Sequence, residues 1–290
     1  MTRCPLPSIF RYAVGSFFRS GMTFQMTITA DFSSGTVRLL VVAGMTAILT
    51  ACSSAQVGSD QDRLLSLADD IDQQGDHSTA AAMYERAIDR NGSSANVLVR
   101  LGQARLDAGD NEGAARAFRD ALREDIQLAP ALLGLGTAQL RLGEAQGARR
   151  SLVEAVKTLN STAAWSRLGA AQALSGEPDE AVNSFRRAMM LDPKSLDVKT
   201  NLALAQALAG NGIQAGTEIR DVVNSPLAES RHYRNAVLIL VLAGRSDVAN
   251  HMALPDVSTV ERQRLIAQAQ RVAALPTAEA RARALGLQST

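Results

Sequence analysis

The sequence predicts an all-α protein, a solenoid of five to six antiparallel helix pairs, and three observations carry that prediction. Six glycines, Gly75, Gly109, Gly143, Gly176, Gly210 and Gly244, follow one another at intervals of 34, 34, 33, 34 and 34 residues. A fixed period of that length marks a stack of repeated supersecondary units. At the three positions per unit where paired helices approach most closely, fourteen of fifteen residues in the first five units are Ala or Gly, Val222 being the exception, against about a quarter for the whole chain. Aromatic residues make up only 4% of the 290, so the core has to be closed by small side chains that let helix backbones come together.

In chain order, the amino terminus reads as an address rather than part of the fold. Leu39 to Ala51 is an uninterrupted apolar or small stretch of thirteen residues preceded by Arg38, too short for an ordinary spanning helix and the right length for the apolar region of a signal peptide. Leu49, Thr50 and Ala51 before Cys52 resemble the bacterial lipobox. That resemblance implies cleavage before Cys52, a diacylglyceryl group on its sulfur and acylation of the new amino terminus, which supplies the two or more chains that stable anchoring needs. By the same resemblance, Ser53 after the cysteine implies sorting to the outer membrane, periplasmic face. From Met1 the segment before the apolar run is long and contains Asp31, and a start at Met22 or Met26 would make residues 1–25 an annotation artefact. The expected organisation is a signal peptide over 1–51, a lipidated polar tether over 52–60, the solenoid over 61–254, and a capping helix with a tail over 255–290.

Within the solenoid the residues around each glycine repeat as well. Leu67-Ala68 is followed by Ala80, Tyr84 and Ala87; Leu101-Gly102 by Ala114, Phe118 and Ala121; Leu135-Gly136 by Ala148, Leu152 and Ala155; and Trp165 with Leu168-Gly169 by Ala181, Phe185, Ala188 and Pro193. This pattern resembles the tetratricopeptide repeat, which implies a tetratricopeptide-repeat α-solenoid. Gly102 is expected to face Ala114 across the helix pair, and each turn glycine to end a first helix with positive φ. A sixth unit from Ala228 to about Leu254 keeps Tyr233, Gly244 and Ala249 but has Val237 where a small residue belongs, as terminal repeats often do. Ser258-Thr259-Val260-Glu261 then reads as a capping box opening a helix with Leu265, Ala269 and Val272 along one face and Pro276 as its stop. From Ala278 a short helix or a frayed end is expected.

Reaction chemistry finds little support. The sequence contains no nucleophile–base signature, H-E-x-x-H, GxxxxGK[ST] or G-x-S-x-G, so the protein is expected not to be an enzyme and to need no cofactor. Cys4 and Cys52 are the only cysteines, and His77, His232 and His251 are scattered, which argues against a disulfide framework or a zinc site. Asp69-Asp70-Ile71-Asp72 reads as a solvated helix face, Gly134-Leu135-Gly136 as packing inside a helix, and Trp165 as a core residue. The formal charge is +1, and without residues 1–51 it becomes −2. Neither value invites nucleic acid. Arg116, Arg119, Arg123, Arg149, Arg150, Arg186 and Arg187 on the second helices are interleaved with Glu112, Asp120, Glu124, Glu154 and Glu180, a mutually screened outer face.

The tetratricopeptide resemblance implies a binding groove lined by first-helix residues: Val99, Gln103 and Leu106; Leu133, Thr137 and Leu140, with Arg141 at the edge; Ala170, Ala173 and Leu174; and Thr200, Leu204 and Ala207. Such a face suits a protein segment held in side-chain pockets, or the chain's own terminal segment. Relatives that capture a terminal carboxylate place lysine and asparagine where this chain has Val99, Leu133 and Ser166, so that mode is not expected. The order of lipobox, tether, repeats and degenerate end, with NAVLILVLAGRSDVANHMALPDVS from Asn235, resembles the lipoprotein of the tight-adherence (Flp) pilus assembly system, its D component. The resemblance implies a scaffold that helps an outer-membrane secretin assemble or localise, with protein partners, a lipid anchor and no small-molecule substrate. Another outer-membrane tetratricopeptide lipoprotein, serving type IV pilus secretins, barrel insertion or cell-wall enzymes, is the alternative; an enzyme subunit is the other.

Overall fold

A computed structural model describes residues 62–285, which form fourteen helices and no strand. Twelve of them make six hairpins. Helix α1 (62–73) pairs with α2 (His77–Asn91), α3 (Ala95–Asp107) with α4 (Asn111–Glu124), and α5 (Ala129–Arg141) with α6 (Ala145–Thr158). Helix α7 (Thr162–Leu174) pairs with α8 (Pro178–Leu191), α9 (Leu196–Leu208) with α10 (Gly212–Val223), and α11 (Ser230–Leu242) with the short α12 (Ser246–His251). Helices α13 (Thr259–Ala273) and α14 (Ala278–Ala284) follow.

Local chemistry sets these boundaries. The side chains of Asp76, Ser94, Asp110, Ser161, Ser195, Ser258 and Thr277 each accept a backbone N–H three residues on, satisfying a donor that the first helical turn leaves open. All six periodic glycines have φ between 73° and 89°. In each of these turns the following residue closes a six-residue backbone loop, for example Asp110 N–H to Arg105 C=O at 2.8 Å and Glu144 N–H to Gln139 C=O at 2.8 Å. This is the Schellman closure, which requires the left-handed residue at that point.

Packing adds a bulky neighbour at the helix crossing. Gly102 lies against the ring of Phe118 in α4: a Cβ there would be 2.7 Å from Cε1. Gly134 meets the same ring from α5, Gly136 meets Leu152 and Gly169 meets Phe185. The small residue is needed because a bulky side chain from the second helix packs onto the first-helix backbone, Phe118 between two first helices, so an added methyl group would occupy that side chain's own volume. Phe118, Leu152 and Phe185 are fully buried as a result.

The core runs along the stack as clusters shared by neighbouring units. Units three and four add a buried polar pair, Ser151 Oγ donating to Gln139 Oε1 at 2.9 Å and Ser184 Oγ to Gln172 Oε1 at 2.6 Å. In unit five the register places Glu218 where serine would stand, and Gln206 Oε1 is buried without a partner. At the far end, Val237 is fully buried with Tyr233, Leu254, Val257, Ile266 and Ala269. Helix α13 thus packs on α11, covering the face a further first helix would take. Its opening is half the expected box: Ser258 Oγ accepts from Glu261 N–H at 3.2 Å, but the Glu261 carboxylate accepts from Arg234 Nε at 2.7 Å instead of reaching back.

Candidate functional site

Consecutive first helices touch directly, α3 to α5, α5 to α7, α7 to α9 and α9 to α11, while each second helix packs chiefly on the first helices beside it. The first helices therefore form a continuous inner layer, and its free surface is the candidate site. The residues assigned to it from sequence divide into two groups. Gln103 is exposed, and Val99, Leu133, Arg141 and Leu204 are half-buried, so these present surface. Leu106 at 3% and Leu140 at 1% exposure belong to the core between units, and Thr137, Ala170, Ala173, Leu174, Thr200 and Ala207 are buried as well. These are therefore covered in the folded chain rather than open surface, and Thr137 and Thr200 turn their hydroxyls to the carbonyls of Leu133 and Leu196, each at 2.7 Å.

Part of that burial comes from the chain itself. Helix α14 packs against α7 and α9, with Ala282 fully buried in the cluster that contains Leu140, Ala170, Leu174 and Leu208. The Glu279 Cβ lies beside Gly176, and Arg283 lines a shallow, open hollow with Gln139, Gly143, Glu144, Gly147 and Arg150. The hydrogen bonds of α14 stay local: Thr277 caps Ala280 N–H at 3.0 Å, Arg281 Nε donates to Leu275 C=O at 2.9 Å, and Arg283 pairs with Glu279 at 2.7 Å. Apolar packing alone seats this helix on the inner layer. Its docking is invisible to periodicity, since α14 lies outside the repeat.

The open part of the inner face carries polar groups near the amino-terminal units. Asp69 accepts from Tyr84 Oη at 2.5 Å and from Arg100 Nη1 at 2.9 Å, fastening α1, α2 and α3 together. Burial and this carboxylate push the Tyr84 phenol well above its ordinary pKa. Asp69 of the aspartate run is therefore engaged in a helix joint, while Asp70 is exposed. Arg141 Nη1 donates to Leu106 C=O at 2.6 Å, bridging units two and three. Arg167, on α7, is half-buried, and burial together with the Arg141 charge lowers its pKa from the usual guanidinium value. Sequence reasoning passed over Arg167, although the lack of any acid on α5 and α7 was there to be read. Trp165 is half-buried against the core with Nε1 donating to Asn160 Oδ1 at 2.9 Å. Leu49, Thr50, Ala51 and Cys52 lie outside the described residues. Among the described residues no helix is long and apolar enough to cross a membrane, and no group of three His, Cys, Asp or Glu side chains is placed to hold a metal ion.

This hairpin geometry is that of the tetratricopeptide repeat, and family models so described match residues 65–131, 99–164 and 162–195. Residues 65–195 thus match tetratricopeptide-repeat models by sequence, and the fold of the described chain is a tetratricopeptide-repeat solenoid. Two solved structures illustrate the likeness. One comes from a functional characterisation of PilF of Pseudomonas aeruginosa: TM-score 0.54, 17% identity, 66% of this chain and 87% of that one covered. The other is MamA, residues 41 to the end, of Desulfovibrio magneticus: TM-score 0.53, 16% identity, 56% and 92% covered. At such identities the likeness concerns the fold. No curated protein sequence matches the chain. Tetratricopeptide repeats serve protein–protein interaction and are typically non-catalytic.

Proposed function

We propose that this protein is a non-catalytic scaffold, anchored by lipid on Cys52 to the periplasmic face of the outer membrane, whose inner layer captures a protein segment during assembly or localisation of a tight-adherence (Flp) pilus secretion apparatus, its secretin in particular. The observation that carries the scaffold reading is the continuous first-helix layer with Val99, Gln103, Leu133 and Leu204 at its surface. The lipobox Leu49–Cys52, the tether and the stretch from Asn235 support the finer reading. Lipidation confines the search for a partner to a membrane surface, and a preformed face spares the ordering entropy that a flexible binder loses on association.

Cys52→Ala tests the anchor and the role together. Fatty-acid labelling is expected to vanish, unprocessed precursor to accumulate, and secretin multimers in the outer membrane to decline. Continued labelling overturns the anchor. Full secretin assembly in cells lacking the whole protein overturns the role while leaving the scaffold reading in place.

A further inference from the structure

We propose that the inner face between α5 and α7 receives a side-chain carboxylate of the bound protein segment, with Arg167 as its principal partner and Arg141 beside it. The inference rests on the reading of the inner layer as the docking face, and it adds the chemistry of what docks.

Charge complementarity is the first ground. Helices α5 and α7 contain no Asp or Glu; Arg141 and Arg167 are their only charged residues. The arginines of the neighbouring first helix α3 have counter-ions within the chain: Arg100 pairs with Asp69 at 2.9 Å and Arg105 with Glu85 at 2.5 Å. Arg167 has neither an ion pair nor a hydrogen bond among the described residues, and the carboxylate that acts on it, Asp107, is already engaged by Gln103 Nε2 at 2.7 Å. Next to it in sequence, Ser166 Oγ is buried with no hydrogen-bond partner. A guanidinium partly withdrawn from water beside another cation is unfavourable until an anion arrives. A carboxylate matches its donor fork with two parallel hydrogen bonds.

The surroundings decide where on the partner that carboxylate sits. Half-buried Val99 and Leu133 on one side of α7 and Leu204 on the other are apolar. A segment that uses both flanks continues past Arg167 in each direction, so its charge is an internal Asp or Glu between apolar residues, not a chain end.

The test uses the full-length lipoprotein in detergent on an array of acetylated, amidated twelve-residue peptides. Their flanks are drawn from Leu, Val, Ala and Ser, and paired spots differ only by a central Glu or Gln. The wild type is expected to favour the Glu member by roughly tenfold, the size of one charge-assisted hydrogen-bonded pair. Arg167→Gln should abolish the preference while retaining apolar binding, and Arg167→Lys should leave an intermediate one, since it keeps the charge and loses the fork. The thermal midpoint of Arg167→Gln should equal or exceed that of the wild type, because an uncompensated cation is removed; a purely structural arginine would lower it. Binding with no Glu preference overturns the inference and leaves the docking face standing. An Arg167-dependent preference for Gln peptides with free carboxyl termini overturns the side-chain assignment in favour of a terminal one. If neither kind of spot is retained, the docking reading falls and takes the inference with it.

Discussion

The smallest features of this stack differ between units, and the differences have energetic consequences. Gln139 and Gln172 each accept from a serine one helix away, whereas the equivalent Gln206 Oε1 is buried unpaired because Glu218 stands in the serine's place and brings an acceptor where a donor is needed. Glu218→Ser should therefore stabilise the protein by about 1 kcal/mol, the net value of a buried hydrogen bond made where one was missing. Urea unfolding of the two proteins checks this, and an unchanged or lower midpoint would show that the register does not bring the two side chains together. That glutamine–serine pairing was not legible beforehand, since Gln and Ser at these sites look like ordinary surface residues in a one-dimensional reading. The glycines Gly102, Gly136 and Gly169 were legible as small but not as seats for Phe118, Leu152 and Phe185, because a sequence pattern records size at a position and not which neighbour needs the space. Position alone likewise could not separate Leu106 and Leu140, which close the core between units, from Val99 and Leu133, which reach the surface.

Among the elements, the first hairpin is tied across its turn by His77 Nδ1 and Asp72 Oδ1 at 2.7 Å. That hydrogen bond raises the histidine pKa above 6.5, outweighing the opposing effect of desolvation. A group with a raised folded pKa contributes its full stabilisation below the unfolded value, and the contribution fades as pH climbs through the folded one. The thermal midpoint of the wild type should exceed that of His77→Gln at about pH 6 and converge on it by about pH 8. A gap that is constant with pH would assign the effect to helix propensity instead. The hairpins themselves were readable because each carries its own turn glycine, and α13 because Ser258 announces it. The seat of α14 was open between a short helix and a fray, and whether the inner face stands free or is filled by the chain's own end was equally open. No periodic signal ties Ala282 to Leu174, and only the folded stack brings them together.

The described helix pairs form a quasi-one-dimensional stack: each pair packs on its neighbours, with α14 alone reaching back to α7 and α9, so damage is expected to stay local. Phe118, wedged between Gly102 and Gly134, joins units two and three. Phe118→Ala should cost about 3–5 kcal/mol at that joint. Hydrogen exchange should speed up in α3, α4 and α5 while α11 and α13 keep their protection; uniform acceleration along the chain would mean that the stack unfolds as one body. Repetition made the helix pairs legible, yet it left the inner face undetermined: Arg167 stands at the register position of Arg100 but lacks that residue's aspartate partner, and α14 lies outside the repeat. One further outcome follows from how α14 is held. Ala282 is its single buried side chain, so a lone methyl keeps a greasy patch on the stack out of contact with other copies. An acidic residue in its place should loosen α14 and uncover that patch, so that self-association increases with concentration relative to the wild type, visible as a larger fast fraction in sedimentation.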